Sequence, residues 1–139
     1  GGVDEDGNFH ILTDNLTEVY YYTNESGSWV GEKIDAGNLA QVLRVDQEGG
    51  VHVAGKFNDK NNPVYGFSAV YLYKEKGGDW NTPFIVDRDF QKVGFHNMHG
   101  AIAYKGEIPY MLVTFEDWTD NRGSNKGHKT GFILFGAEV

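Results

Sequence analysis

An all-β fold built from repeated four-stranded units is predicted by three observations. A pattern recurs: Val3-Asp4-Glu5-Asp6-Gly7-Asn8-Phe9-His10-Ile11-Leu12 returns as Val45-Asp46-Gln47-Glu48-Gly49-Gly50-Val51-His52-Val53-Ala54. Each copy leads to an aromatic run, a turn and a tryptophan, first over Tyr20 to Trp29 and then over Val70 to Trp80. Aromatic residues make up 14% of the chain and glycines number 19, the composition of short strands joined by tight turns. A third unit opens at Ala101-Ile102-Ala103-Tyr104-Lys105-Gly106-Glu107-Ile108-Pro109-Tyr110 and reaches Phe132-Ile133-Leu134-Phe135, without a further glycine-tryptophan turn. Repetition at roughly 40–50 residues marks solenoids and propellers, where one unit cannot bury its own apolar face.

The elements follow in order. The first unit is expected to hold strands at Gly2–Asp4, Asn8–Leu12, Glu18–Thr23 and Ser28–Ile34. The second gives Ala40–Asp46, Val51–Phe57, Ser68–Lys74 and Trp80–Val86, and the third His99–Tyr104, Ile108–Phe115 and Thr130–Phe135. β-Branched and aromatic residues carry these assignments, and Asp-Gly, Gly-Gly and Lys-Gly turns bound them. Residues 36–45 form the best helical candidate, but Gly37 interrupts them and a strand pattern follows, so no helix is assigned. Four short antiparallel strands per repeat describe a propeller blade. The chain then reads as part of a β-propeller: blade one about 1–37, blade two about 38–90 and an incomplete blade three about 91–139, about 2.75 blades in all. Blade one and blade three would each leave a face bare, so the remainder of the propeller is expected from the same protein or from other copies. A self-contained β-sandwich with two similar hairpins is the plainer alternative.

Charge and composition exclude several partners. A formal net charge of −8 argues against nucleic-acid phosphates and against an anionic membrane surface. No apolar run approaches the roughly 20 residues that cross a bilayer. With no cysteine, the chain has no disulfide, thiolate metal site or cysteine nucleophile. The opening Gly1-Gly2 carries no signal-peptide pattern and reads as a processed product or as a segment of something longer. Asn/Gly-rich loops and the acidic balance point to an extracellular, secreted setting.

The turn segments resemble degenerate Asp-boxes, the Ser-x-Asp-x-Gly-x-Thr-Trp hairpin of sialidase-like (BNR-repeat) β-propellers. Tyr73-Lys74-Glu75-Lys76-Gly77-Gly78-Asp79-Trp80 keeps an acid, the glycine and the tryptophan at matching spacing, and Thr23 to Trp29 keeps them with one residue fewer. Glu stands for Asp in both. The Val-Asp-x-x-Gly-x-x-His unit is similar to the inner hairpin of BNR-like repeat proteins, among them secreted lectins and ulvan-type polysaccharide lyases. The resemblance covers nearly the whole chain and implies a fold more than an activity, because Asp-boxes are structural. It also implies a glycan or polysaccharide ligand. The sialidase arginine triad is not matched: Arg44, Arg88 and Arg122 are the arginines, none in an Arg-Ile-Pro motif. The lyases carry Asp-His or His-Asn before the first strand of a blade. Ala36-Gly37-Asn38 departs from that in blade two, whereas His96-Asn97-Met98-His99 comes closer in blade three.

Loop length sorts the two ends of the units. The one–two and three–four turns are short throughout, while the two–three connections lengthen from Thr13–Thr17 through Asn58–Gly66 to Glu116–Lys129. Binding usually resides in long loops on a rigid scaffold, so that end is the expected site. Its ligand-binding candidates are Trp118, Arg122, Lys126, His128, Arg88, Asn97 and Tyr65, with Asp59, Asp89 and Asp120 nearby. Trp118 would stack on a sugar ring, and Arg122 and Lys126 would pair with a sulfate or uronate. His96 and His99 are the catalytic candidates, as general base in a lyase-like proton abstraction. They lack an obvious third ligand, so no metal is assigned there. His10 and His52 share one repeat position and read as structural. Trp29 and Trp80 read as packing between blades. The run Asp4-Glu5-Asp6 would be the place for calcium, the only cofactor the sequence hints at, but such acids commonly fill solvated turns. Three functions are expected in this order: a glycan-binding module of a larger secreted protein, a polysaccharide lyase or glycoside hydrolase, and an assembly module completed by strands of other chains.

Overall fold

The computed structural model describes residues 1–58, 67–86, 95–117 and 129–136. Among the described residues the chain is all-β, with eleven strands in three antiparallel sheets, none closed on itself. Sheet one orders β1 (Gly2–Val3), β2 (Phe9–Asp14), β3 (Val19–Thr23) and β4 (Val30–Ile34) as neighbours in chain order. Sheet two does the same with β5 (Leu39–Val45), β6 (Val51–Asn58), β7 (Phe67–Lys74) and β8 (Phe84–Val86). Sheet three holds β9 (Phe95–Lys105), β10 (Ile108–Asp117) and β11 (Lys129–Gly136).

The outer strands are shorter than the sequence pattern suggests. β8 begins at Phe84 rather than Trp80, and Trp80 is tied to Lys74 by a single bridge. Asn81 takes over the ladder there: its side-chain Oδ1 accepts the Tyr73 amide at 2.7 Å while its own amide reaches the Tyr73 carbonyl at 2.9 Å. Pro83, with no amide hydrogen, keeps the ladder from forming sooner. β9 departs in the other direction. Its long partner β10 pairs Glu116 with His96 and Asp117 with Phe95 beyond a bulge, so His96 to His99 lie inside a strand rather than at its entry.

Strand register aligns the repeats residue by residue. His10 opposes Thr23, Ile11 opposes Tyr22 and Leu12 opposes Tyr21; in sheet two His52 opposes Tyr73, Val53 opposes Leu72 and Ala54 opposes Tyr71. Sheet three continues the series with Tyr110 opposite Gly136, Met111 opposite Phe135 and Leu112 opposite Leu134. Each strand alternates its side chains between two faces, and both faces of sheet two are buried. One packs on sheet one through Leu43, Val51, Val53 and Leu72 against Val19, Tyr21 and Ile34. The other packs on sheet three through Val42, Ala54, Ala69 and Tyr71 against Met98, Met111, Val113 and Phe135. The Tyr71 and Phe135 rings stack with centroids 4.8 Å apart. Two seams between three sheets thus replace a single central core.

Candidate functional site

The two repeat histidines are built into identical buried networks. His10 Nε2 lies 2.9 Å from Asp4 Oδ2 and its Nδ1 lies 2.6 Å from the Tyr21 hydroxyl. His52 Nε2 lies 2.8 Å from Asp46 Oδ2 and its Nδ1 lies 2.7 Å from the Tyr71 hydroxyl. A carboxylate only accepts, so Nε2 donates in both, and burial holds the His52 ring below its ordinary pKa against the opposing pull of Asp46. With Nδ1 unprotonated, the Tyr71 hydroxyl donates to it. Burial pushes the Tyr21 hydroxyl up to about 12 and Tyr71 further up. The second carboxylate oxygen closes the strand turn. Asp4 Oδ1 accepts the amides of Asp6 and Asn8 at 3.0 and 2.9 Å, and Asp46 Oδ1 accepts those of Glu48 and Gly50 at 3.0 and 2.8 Å. Gly7 and Gly49 complete the two turns at φ of 82° and 83°. Burial alone would raise the Asp4 carboxyl, but hydrogen bonds from His10 and Asn8 outweigh it and hold the group at about 2.

An Asp-His-Tyr array invites a catalytic reading, and burial rejects it. His10 and His52 are 1% and 0% exposed, leaving no room for a substrate at either ring. The networks fasten a turn, an inner strand and a central strand into one unit. In the third sheet the register puts Tyr110 at the histidine position and Leu134 at the tyrosine position, so the array is not repeated there among the described residues.

The described surface opens instead at the seams, at the short-turn end. Between sheets one and two lies a cleft of about 460 Å³ lined by Tyr21, Thr23, Glu25, Ser26, Val30, Glu32, Lys74 and Gly77. The β3–β4 turn supplies Glu25 and Ser26, β4 supplies Val30 and Glu32, and β7 with its following turn supplies Lys74 and Gly77. Lys74 Nζ sits 5.6 Å over the Tyr21 ring and 3.9 Å from Glu25. The Trp80 indole donates to Glu32 at 2.8 Å and its ring meets Tyr21 edge-on, so Trp80 fixes one wall. A smaller cleft of about 300 Å³ lies at the second seam, between Glu48, Gly50, Tyr73, Glu75 and Lys76 on one side and Glu107 and Pro109 on the other. There the Tyr104 hydroxyl accepts the Gln47 amide at 2.7 Å and reaches Glu48 at 3.2 Å.

Sequence reasoning set these clefts aside because short turns rarely bind ligands. The signal in the sequence is the charge in those turns: Glu25 recurs as Glu75, and the second turn adds Lys76 beside it. Of the candidates at the long-loop end, Tyr65, Arg88, Trp118, Arg122, Lys126 and His128 lie outside the described residues, as do Asp59, Asp89 and Asp120. The backbones of His96 and Asn97 fall in β9. His99 is exposed on β9 opposite Thr114, on the face turned away from sheet two, since the alternate residues Met98 and Ile102 pack into that seam. Among the described residues no group of three or more acidic or histidine side chains is placed to hold a metal ion. Nor is any helix long and apolar enough to cross a membrane.

Comparison with protein-family models, with curated proteins and with solved structures returned no match.

Proposed function

We propose that this chain is a portion of a sialidase-like (BNR-repeat) β-propeller, secreted, whose role is to bind glycan, and that sugar enters the cleft between the first two sheets. The composition of that cleft carries the reading. Each sugar hydroxyl both donates and accepts, and the walls offer carboxylates at Glu25 and Glu32, an ammonium at Lys74 and hydroxyls at Thr23 and Ser26. A few polar groups on a scaffold fixed by packing are what a small-ligand site requires. Two carboxylates against one ammonium oppose a sulfated or uronate ligand and favour a neutral one. The four-stranded repeats, the Asp-box-like turns and the stacking of successive sheets support the propeller half of the proposal.

A neutral glycan array followed by calorimetry tests it. Binding is expected, and Glu32→Gln and Lys74→Met are each expected to weaken it at least tenfold, about 1.4 kcal/mol. Absence of any glycan binding, or binding indifferent to both substitutions, overturns the assignment.

A further inference from the structure

The exposed apolar residues of the two terminal sheets occupy the positions that, elsewhere in the chain, make the two sides of an internal seam. Sheet one exposes Val3, Phe9, Ile11, Tyr22 and Trp29 on the face turned away from sheet two. Register and repeat place these at the positions of Val45, Val51, Val53, Leu72 and Trp80 in sheet two. All five of those counterparts are packed into the first seam. Without a partner, Trp29 stacks on Phe9 of its own sheet at 6.4 Å and stays 56% exposed.

The far face of sheet three shows the complementary set. Phe132 and Leu134 stand at the positions held by Val19 and Tyr21 in sheet one and by Ala69 and Tyr71 in sheet two. Those four residues are at most 1% exposed, whereas Phe132 and Leu134 are 71% and 54% exposed. The structure therefore contains this interface twice internally, and offers its two unpaired halves at opposite ends.

We propose that a second copy of this chain docks head to tail, its sheet three covering the Phe9, Ile11, Tyr22 and Trp29 face of sheet one. Such a contact joins two different surfaces, so it continues from copy to copy until the rotation closes a ring. It extends the stacking of the two established seams and removes from water an apolar face that a soluble monomer rarely carries. The proposal stands independently of the glycan cleft, whose lining lies at the first internal seam.

Sedimentation equilibrium of the 139-residue chain tests it, with circular dichroism to confirm folding. A concentration-dependent assembly larger than a monomer is expected. Ile11→Glu and Leu134→Glu, each at an exposed position, are each expected to give folded monomers. An equimolar mixture of the two is expected to form one-to-one pairs, because each variant retains the half-interface the other lacks. Tyr22→Lys and Phe132→Lys repeat the test should the first pair fail to fold. A folded wild-type chain that stays monomeric throughout the micromolar range overturns the proposal and leaves the face to another repeat unit or partner. Assembly untouched by the substitutions, or a mixture that does not pair, overturns it equally.

Discussion

Tyr21 and Trp80 meet edge to face across the first seam, their ring centroids 5.1 Å apart and their planes at 85°. That contact ties the central strand of sheet one to the outer turn of sheet two and shapes the cleft between them. Trp29 occupies the same place in the first repeat and, among the described residues, faces no further sheet. The two tryptophans therefore differ in energetics while agreeing in sequence context.

Trp80→Ala is expected to destabilise the chain by about 2–3 kcal/mol, less than a fully buried aromatic because Trp80 is only partly covered at the seam. Trp29→Ala, made in the dissociated chain, is expected to cost less than about 1 kcal/mol. Urea unfolding of the two variants checks the contrast, and equal losses would contradict the seam assignment.

The repeated networks predict matched effects at matched positions. Tyr21→Phe and Tyr71→Phe each remove one hydroxyl bonded to a buried histidine, at about 1–3 kcal/mol apiece. His52→Ala is expected to cost more, about 3–5 kcal/mol, because it strands the Asp46 carboxylate without its buried partner. Unfolding midpoints of the three variants give the comparison directly.

Acid sensitivity should come in two stages. The folded pKa of His52 lies below its unfolded value of 6.5, so the unfolded chain takes up a proton first. Its contribution is complete above pH 6.5 and is lost as pH falls through the lower folded value. Asp4 follows: its pKa falls from 3.8 to about 2 on folding, so its contribution is present above 3.8 and disappears as pH drops toward 2. Urea midpoints measured against pH should decline in both windows, and Asp4→Asn should flatten the lower one.

Gly50 is expected to tolerate no side chain. A Cβ there would sit 2.4 Å from Asp46 Oδ2, the oxygen that receives His52. Gly50→Ala should therefore displace the carboxylate and cost more than the roughly 1 kcal/mol expected for Gly49→Ala at its left-handed φ. Amide exchange at Glu48 should accelerate in the Gly50 variant, since that amide donates to Asp46.

Much of the architecture was legible from the repeated segments themselves. Val-Asp-x-x-Gly-x-x-His marks a tight turn between two strands, and the turn is there; but Asp4, expected in a solvated turn, is 7% exposed, its carboxylate taken up by the Asp6 and Asn8 amides and by His10. The strand pattern likewise placed His10 and His52 in equivalent roles, and burial agrees. The extension of β9 across His96 to His99 was not legible, because it depends on the length of β10, a partner distant in sequence. Nor was the shortening of β8, where the Asn81 side chain substitutes for a backbone pair.

The sequence by itself determined the all-β class, the repeat, the turns and the alternation of apolar residues along each strand, because these follow from neighbours a few positions apart. Only the tertiary structure decided which apolar face is covered. Val53 and Ile11 are alike in sequence, yet one is sealed in a seam and the other is open to solvent. The same holds for the cleft, whose Glu32 and Lys74 come from different repeats and are brought to one opening by sheet packing. Burial is a property of the partner sheet as well as of the residue, and strand periodicity marks a face without naming what lies against it.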